Sequence, residues 1–384
     1  MEINATPEFK RLHSNVRRLV NDTLNPNFET VEKEANIPEH MVDQFRSLGL
    51  FGMSIPKQYG GLGLTTTEEM SLLEELTYTN ACFRSRVGTN NSIGSMGIVF
   101  DGTNRQREQY LPRIASGEWT TSFALTEPNA GSDASGITTT AELNGDYWVL
   151  NGNKIFITNA DTARLFTTIA VTDEKKRARG GVSAFLVERG MPGFSIGPTD
   201  LKMGFKGSHT CELVFKDCRV PKDNVIGGME MVGQGFKTAM RVLDKGRLVA
   251  GACALGAAQK IMDICIDHLK QKLDSGKPKD ALQADQFALA DMATQIYAAR
   301  QMLYHSARLK DEGRNITNEA AMAKVFLTET AGKVADSAMD ILGEEGCLTR
   351  NQVEILLRDV RLYRIYEGTS EIQRIIISRN LLKK

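Results

Sequence analysis

The stretch Tyr366-Glu367-Gly368-Thr369-Ser370-Glu371-Ile372-Gln373 sets one carboxylate beside a glycine at the entry to a helix. Ser370 and Gln373 have capping-box spacing, and Ile372, Ile375, Ile376 and Leu382 fall roughly on one helical face, which predicts the helix. A carboxylate at that point meets the positive end of the helix dipole, and the glycine leaves one side uncrowded. That suits a base that must approach a substrate closely. An arbitrary Glu there would be only a favourable end charge. The rest of the chain decides between the two.

Working back from this stretch, residues 233–272, 283–311, 317–342 and 351–360 read as long helices, with breaks at Gly276-Lys277-Pro278 and Gly313-Arg314. Short connections between long amphipathic helices predict a bundle. Before it, from about Trp119, the period is two. Strands are predicted at 120–125, 136–143, 147–150, 154–158, 166–171, 182–187 and 211–215. Asn144-Gly145-Asp146 and Asn151-Gly152-Asn153 read as hairpin turns. Short strands at this spacing predict a compact antiparallel barrel or sandwich, closing near Val220-Pro221-Lys222-Asp223. The first 118 residues read as mainly helical, with apolar three- and four-residue spacing at 41–48 and 68–77. The glycines of Pro56-Lys57-Gln58-Tyr59-Gly60-Gly61-Leu62-Gly63 fit neither a P-loop nor a dinucleotide fingerprint, so a structural turn is expected. The expected fold is α+β multidomain: an N-terminal helical domain (1–118), a middle antiparallel β-barrel (119–228) and a C-terminal four-helix-type bundle (229–384).

The 384 residues carry 47 Lys+Arg and 47 Asp+Glu, a formal net charge of +0. No basic stripe argues for nucleic acid or an anionic membrane. Cys82, Cys211, Cys218, Cys253, Cys265 and Cys347 form no C-x-x-C pair and read as buried thiols of a reducing compartment. The five histidines show no metal-ligand spacing. No signal peptide opens the chain, and no apolar run reads as long enough to span a bilayer. A soluble intracellular protein is expected, cytoplasmic in a bacterium or in the mitochondrial matrix of a eukaryote.

The motifs narrow this. Leu125-Thr126-Glu127-Pro128-Asn129-Ala130-Gly131-Ser132-Asp133 follows the first barrel strand, and Lys154-Ile155-Phe156-Ile157-Thr158-Asn159 comes next. Leu243-Asp244-Lys245-Gly246-Arg247 opens the bundle and Tyr366-Glu367-Gly368-Thr369 ends it. With Tyr59-Gly60-Gly61-Leu62-Gly63 and Tyr110-Leu111-Pro112, this order closely resembles the acyl-CoA dehydrogenase family over essentially the whole chain. The resemblance implies a homotetrameric FAD enzyme that dehydrogenates an acyl-CoA and hands electrons to an electron-transfer flavoprotein. It implies that the backbone from Phe123 through Leu125 and Thr126 to Ser132 lines the flavin, and that Phe156 covers it. Thr158 would bond near its reactive nitrogen, and Thr369 and Glu371 would also meet the cofactor. Asp244 and Arg247 would meet the CoA, although an i,i+3 ion pair on a helix surface explains them as well. Ser132 and Gly368 would also lie beside the substrate. Glu367 matches one of two places where the family puts its base. The other is here Gly246, which leaves Glu367.

The chain departs from the pattern at the bundle end expected to reach a neighbouring subunit's FAD. Lys272 and Ser275 stand where an Arg and a Phe are usual, Gln283 is kept, and a Gln-x-x-Gly-Gly run appears as Asp340-Ile341-Leu342-Gly343-Glu344. Lysine is a point charge that cannot imitate a bidentate arginine, and two acids would repel a pyrophosphate. Phe83-Arg84-Ser85 resembles the place where glutaryl-CoA dehydrogenase, within this family, holds a distal carboxylate with an Arg–Ser pair. A surface or interdomain salt bridge explains Arg84 equally well. The acidic partner of that pocket is replaced by Thr77, which argues against decarboxylation. A non-oxidative lyase of the desulfinase kind, a noncatalytic acyl-CoA-binding member and an acyl-CoA oxidase stay open as alternatives.

Overall fold

The computed structural model describes residues 6–383. Seven helices come first: α1 (Pro7–Leu19), α2 (Phe28–Glu34), α3 (Glu39–Ser47), α4 (Thr66–Leu76), α5 (Ala81–Asn91), α6 (Met96–Asp101) and α7 (Asn104–Ala115). Local chemistry sets their starts. Thr65 with Glu68 and Thr103 with Gln106 form capping boxes on α4 and α7, and the Asn80 side chain caps α5. Seven strands follow: β1 (Thr121–Ala124), β2 (Thr140–Asn144), β3 (Tyr147–Thr158), β4 (Leu165–Val171), β5 (Val182–Glu188), β6 (Phe194–Thr199) and β7 (Thr210–Pro221). The chain then returns to helices: α8 (Gly235–Asp274), α9 (Gln283–Asp311), α10 (Thr317–Leu342), α11 (Gln352–Tyr363) and α12 (Ser370–Leu381).

The order helices, sheet, helices is as expected, and the middle region is one curled seven-stranded sheet, ordered β1-β4-β2-β3-β7-β6 with β5 on β4. It is mixed rather than wholly antiparallel, because β1 pairs with β4 in parallel. The long excursion through the β2–β3 hairpin brings β4 back alongside β1, and only such long connections can join parallel neighbours. Asn144-Gly145-Asp146 makes the β2–β3 turn, with Gly145 at φ +62°. Asn151-Gly152-Asn153 is not a turn but lies inside β3, where the pairing with β7 shifts register. A Cβ on Gly152 would come within 2.5 Å of Thr139 Oγ1, so this glycine serves a bulge and a close approach. Strand β6 was not visible as a period-two run.

The two helical regions share one apolar core. Phe28, Phe45, Leu72, Leu248, Cys253, Leu327 and Tyr363 belong to a single buried cluster, while the sheet contributes two others. Five of the six cysteines are buried as expected, but Cys347 is exposed. The 40-residue α8 corrects one expectation. By length and composition it is apolar enough to cross a membrane, yet 67% of its most apolar window is buried inside the protein. Its Ala-rich surface packs against α4, α9 and α10.

Candidate active site

Glu367 lies in the short loop between α11 and α12. Glu367 at φ +55° and Gly368 at φ +87° are consecutive left-handed residues, a costly conformation for glutamate. The surroundings enforce it. Thr369, one residue before the expected cap, closes α12 by accepting from the Ile372 amide at 3.3 Å. Ser370 is already the first residue of the helix, and its hydroxyl donates to Glu329 at 2.6 Å. Gln373 Nε2 donates to the carbonyls of Gly368 at 2.9 Å and Glu367 at 3.3 Å. Lys324 Nζ, from α10, also donates to the Gly368 carbonyl at 2.9 Å.

The carboxylate projects against α8. A Cβ built on Gly246 would stand 2.2 Å from Glu367 Oε2, so the two sequence positions considered for the base converge on one point in space. Oε2 is enclosed and has no hydrogen-bond partner among the described residues. Burial pushes the Glu367 carboxyl up to about 7, with Arg84, Lys324 and Arg247 pulling the other way. The group therefore exchanges a proton near neutrality, as a general base requires.

Arg247 is buried and paired with Asp244, whose Oδ2 accepts from Thr317 at 3.0 Å. The expected i,i+3 ion pair is thus present, its two members flanking Gly246. Arg84 and Ser85 part company. Arg84 is only 7% exposed, its guanidinium curls over Gly88, and it forms no salt bridge among the described residues. Its electrostatic neighbours are Cys253, Tyr366, Tyr363 and Glu367, and none of them stands within salt-bridge distance, so the salt-bridge alternative is not formed among the described residues. Ser85 points elsewhere, its Oγ 2.5 Å from Ser208 Oγ, so the two do not act as a pair. Successive helix residues point about 100° apart, which is why one faces the base and the other the sheet. Thr77 is fully buried and spends its hydroxyl on the Leu73 carbonyl at 2.7 Å.

On the sheet side, the Ile155 amide donates to Thr126 at 2.9 Å, and Ser122 Oγ donates to the Thr158 carbonyl at 2.8 Å. These bonds bring Phe123, Leu125 and Thr126 next to Phe156 and Thr158. Phe156 is 63% exposed and sits at φ +57°, a large aromatic held out of the core in a strained conformation. Ser132 is exposed and a Cβ on Gly131 would meet nothing, so backbone there is open to a close partner. An aromatic face beside open strand-end backbone fits a flavin.

Sequence reading missed what holds that loop. Glu127, 4% exposed, accepts from Lys154 at 2.8 Å and from the amides and hydroxyls of Thr138 and Thr139 at 2.6–3.0 Å. Lys154 also donates to the Leu125 carbonyl at 3.0 Å. Burial opposes the Glu127 charge, but Lys154 and the threonine donors hold its carboxyl down at about 2. Its folded pKa lies below the usual 4.5, so its contribution is present above that value and lost as pH falls toward 2. Glu127→Gln is expected to cost about 3 kcal/mol and to flatten this acid limb, read by denaturant unfolding between pH 7 and 3. An unchanged midpoint would show that the ion pair is dispensable.

Lys272, Gln283, Asp340 and Gly343 do not join this site. Lys272 Nζ donates to the Ile341 carbonyl at 3.4 Å, gathering the ends of α8 and α10, while Gln283, Asp340 and Gly343 are exposed. At 1.5 Å rise per residue, Lys272 stands about 40 Å along α8 from Gly246. Glu371 is exposed in the first turn of α12, and Thr369 is its cap.

Comparison with known proteins agrees with this geometry. The acyl-CoA dehydrogenase N-terminal, middle and C-terminal domain profiles match residues 6–118, 122–218 and 233–382. An acyl-CoA dehydrogenase of Bacillus subtilis is 39% identical over 380 residues, spanning 99% of each chain. An acryloyl-CoA reductase (NADH) of Anaerotignum propionicum is 39% identical over 387 residues, covering 100% of this chain and 97% of its own. The butyryl-CoA dehydrogenase structure from Megasphaera elsdenii superposes with a TM-score of 0.94 at 36% identity, with both chains fully covered. Three profiles in order, relatives matched end to end, and an enclosed carboxylate at the head of α12 lead to one statement: the chain belongs to the acyl-CoA dehydrogenase family of FAD-dependent oxidoreductases acting on CH–CH groups.

Proposed function

We propose that the protein dehydrogenates an acyl-CoA thioester to the trans-2-enoyl-CoA, with Glu367 as the base. The observation that carries this is the Glu367 carboxyl, pushed up to about 7, whose enclosed Oε2 is lodged against Gly246 with no hydrogen-bond partner among the described residues. The α-proton of a thioester is weakly acidic, so a base needs help from groups that stabilise the developing enolate. The Glu367 amide is bonded to nothing among the described residues and is available to a thioester carbonyl. Glu367 takes the α-proton as the C–H electron pair becomes the new double bond. Phe123–Ser132, Phe156 and Thr158 would hold FAD, which when bound would supply the acceptor for the hydride that leaves the β-carbon. Electrons then pass to an electron-transfer flavoprotein. Assembly as a homotetramer would carry the Lys272–Asp340 end of one bundle to another subunit's cofactor, since about 40 Å separates it from its own base.

The acyl group is short and polar or carboxylated in this reading. Arg84 and Lys324 face Glu367 with no other carboxylate bonded to them, while Arg247 is neutralised by Asp244. The pocket thus holds one excess positive charge, and a buried unpaired guanidinium is costly until an anion meets it. Arg84→Ala is expected to lower kcat/KM for dicarboxylic acyl-CoAs by about 100-fold and for plain acyl-CoAs by less than fivefold, consistent with a loss of roughly 3 kcal/mol. Equal losses on both classes would remove Arg84 from this role.

A second reading is the same chemistry run backwards, as reduction of an enoyl-CoA. It draws on the acryloyl-CoA reductase relative and on a carboxyl about half protonated near neutrality. The direction shows in pH dependence. Oxidation rises with pH through about 7 as Glu367 ionises, whereas reduction falls over the same range because the acid form delivers the proton.

A further inference from the structure

We propose that Lys324 is the positioning residue of the base: its buried ammonium clamps the Gly368 carbonyl and supplies a fixed positive charge that favours the ionised form of Glu367. The inference rests on Glu367 acting as the base.

Lys324 is fully buried on α10, a place where lysine almost never sits unless a specific partner holds it. Its Nζ donates to the Gly368 carbonyl at 2.9 Å, across 44 residues of sequence. It forms no salt bridge among the described residues, and the Gly368 backbone oxygen is its hydrogen-bond partner. That oxygen belongs to the second of two left-handed residues whose first is Glu367. Gln373 supplies a second donor to the same oxygen. The loop is thereby closed by two donors from two helices, and the amide plane after Gly368 cannot rotate without breaking both. A neutral amide would suffice for clamping alone. Lysine adds charge inside a region of low dielectric, where it acts strongly.

The other groups around this point do not duplicate it. Glu367 faces Arg84 from α5, Arg247 and Cys253 from α8, Lys324 from α10 and Tyr366 from its own loop. Lys324 faces Glu367, Glu329, Arg247 and Glu371. Arg247 is committed to Asp244, and Glu329 to Arg364 and Ser370. Arg84 acts on Glu367 more strongly than Lys324 does, but it reaches over from α5 and is not bonded to the Glu367 loop. Lys324 is the cation fixed to the Glu367 loop itself. Burial lowers the ammonium to about 8, Glu367 pulling the other way, so it is still mostly charged at the midpoint of the Glu367 titration.

The test uses the FAD-loaded protein and its Lys324→Met, Lys324→Gln and Lys324→Arg variants. Infrared difference titration against Glu367→Gln reads the protonation of this carboxyl without turnover. Losing the charge makes the ionised form less favourable, so Lys324→Met and Lys324→Gln should titrate about one pH unit higher. Their flavin-bleaching rate with acyl-CoA should fall roughly tenfold at pH 6.5 and recover by pH 9. Lys324→Gln, able to clamp but uncharged, should recover further than Lys324→Met, and Lys324→Arg should keep the wild-type titration. Folded Lys324→Gln protein with the wild-type titration and rates at every pH would overturn the proposal. If Lys324→Met fails to fold, Lys324→Gln still decides. An active Glu367→Gln enzyme would instead overturn the assignment of the base, a different result from the same experiment.

Discussion

Glu367→Gln should keep its fold and its FAD and lose turnover by about 10²–10⁴-fold, the range a positioned general base contributes. The side chain keeps its size, and the enclosed Oε2 has no partner to lose. Folding should change little or improve. In the wild type the folded carboxyl sits near 7 against an ordinary 4.5, so the cost of burying its charge appears as pH rises between those values. Glutamine carries no charge and escapes that cost. Stability of the variant should therefore be flatter than wild type from pH 5 to 8, a second readout independent of chemistry. A glutamine enzyme with substantial turnover would show that another group takes the proton.

Gly246→Ala should be the second most damaging change, and for a different reason. The new Cβ would stand 2.2 Å from Glu367 Oε2 and 2.7 Å from its Cδ. The clash is with the far end of a flexible side chain, so the protein relieves it cheaply by moving the carboxylate. Alanine also favours helix over glycine by about 1 kcal/mol in the interior of α8. Thermal stability should hold or rise slightly. Catalysis should not, because a displacement of about 1 Å costs roughly 100-fold. Unchanged kcat with a retained fold would mean that the position of Oε2 is not critical, and the geometry of the base would need redrawing.

Glu367 was legible because its signature is local: a carboxylate, a glycine and a cap within four residues. The helix–sheet–helix order was legible from the change of period near Trp119 and again before Gly235. What was not legible depends on distance in sequence. Lys324 reads as one more lysine on an amphipathic helix until Gly368, 44 residues on, is folded against it. Glu127 reads as part of a motif, but its five donors come from Lys154, Thr138 and Thr139. Asn151-Gly152-Asn153 has the composition of a turn, and only the crowding of Gly152 by Thr139 reveals a bulge in a continuing strand. Ser85 was paired with Arg84 by adjacency, yet a helix turns neighbours apart, and Ser208 claims its hydroxyl. Local patterns fixed elements, while ion pairs and close approaches waited for tertiary structure.

The most direct test of the account is anaerobic. FAD-loaded protein is mixed with straight, branched and dicarboxylic acyl-CoAs while the oxidised flavin absorbance is followed. Rapid bleaching by one class is expected, fastest for a short dicarboxylic thioester, with a rate that rises through about pH 7 and vanishes in Glu367→Gln. Firmly bound FAD that no acyl-CoA bleaches, or bleaching that survives loss of the Glu367 carboxyl, would contradict it.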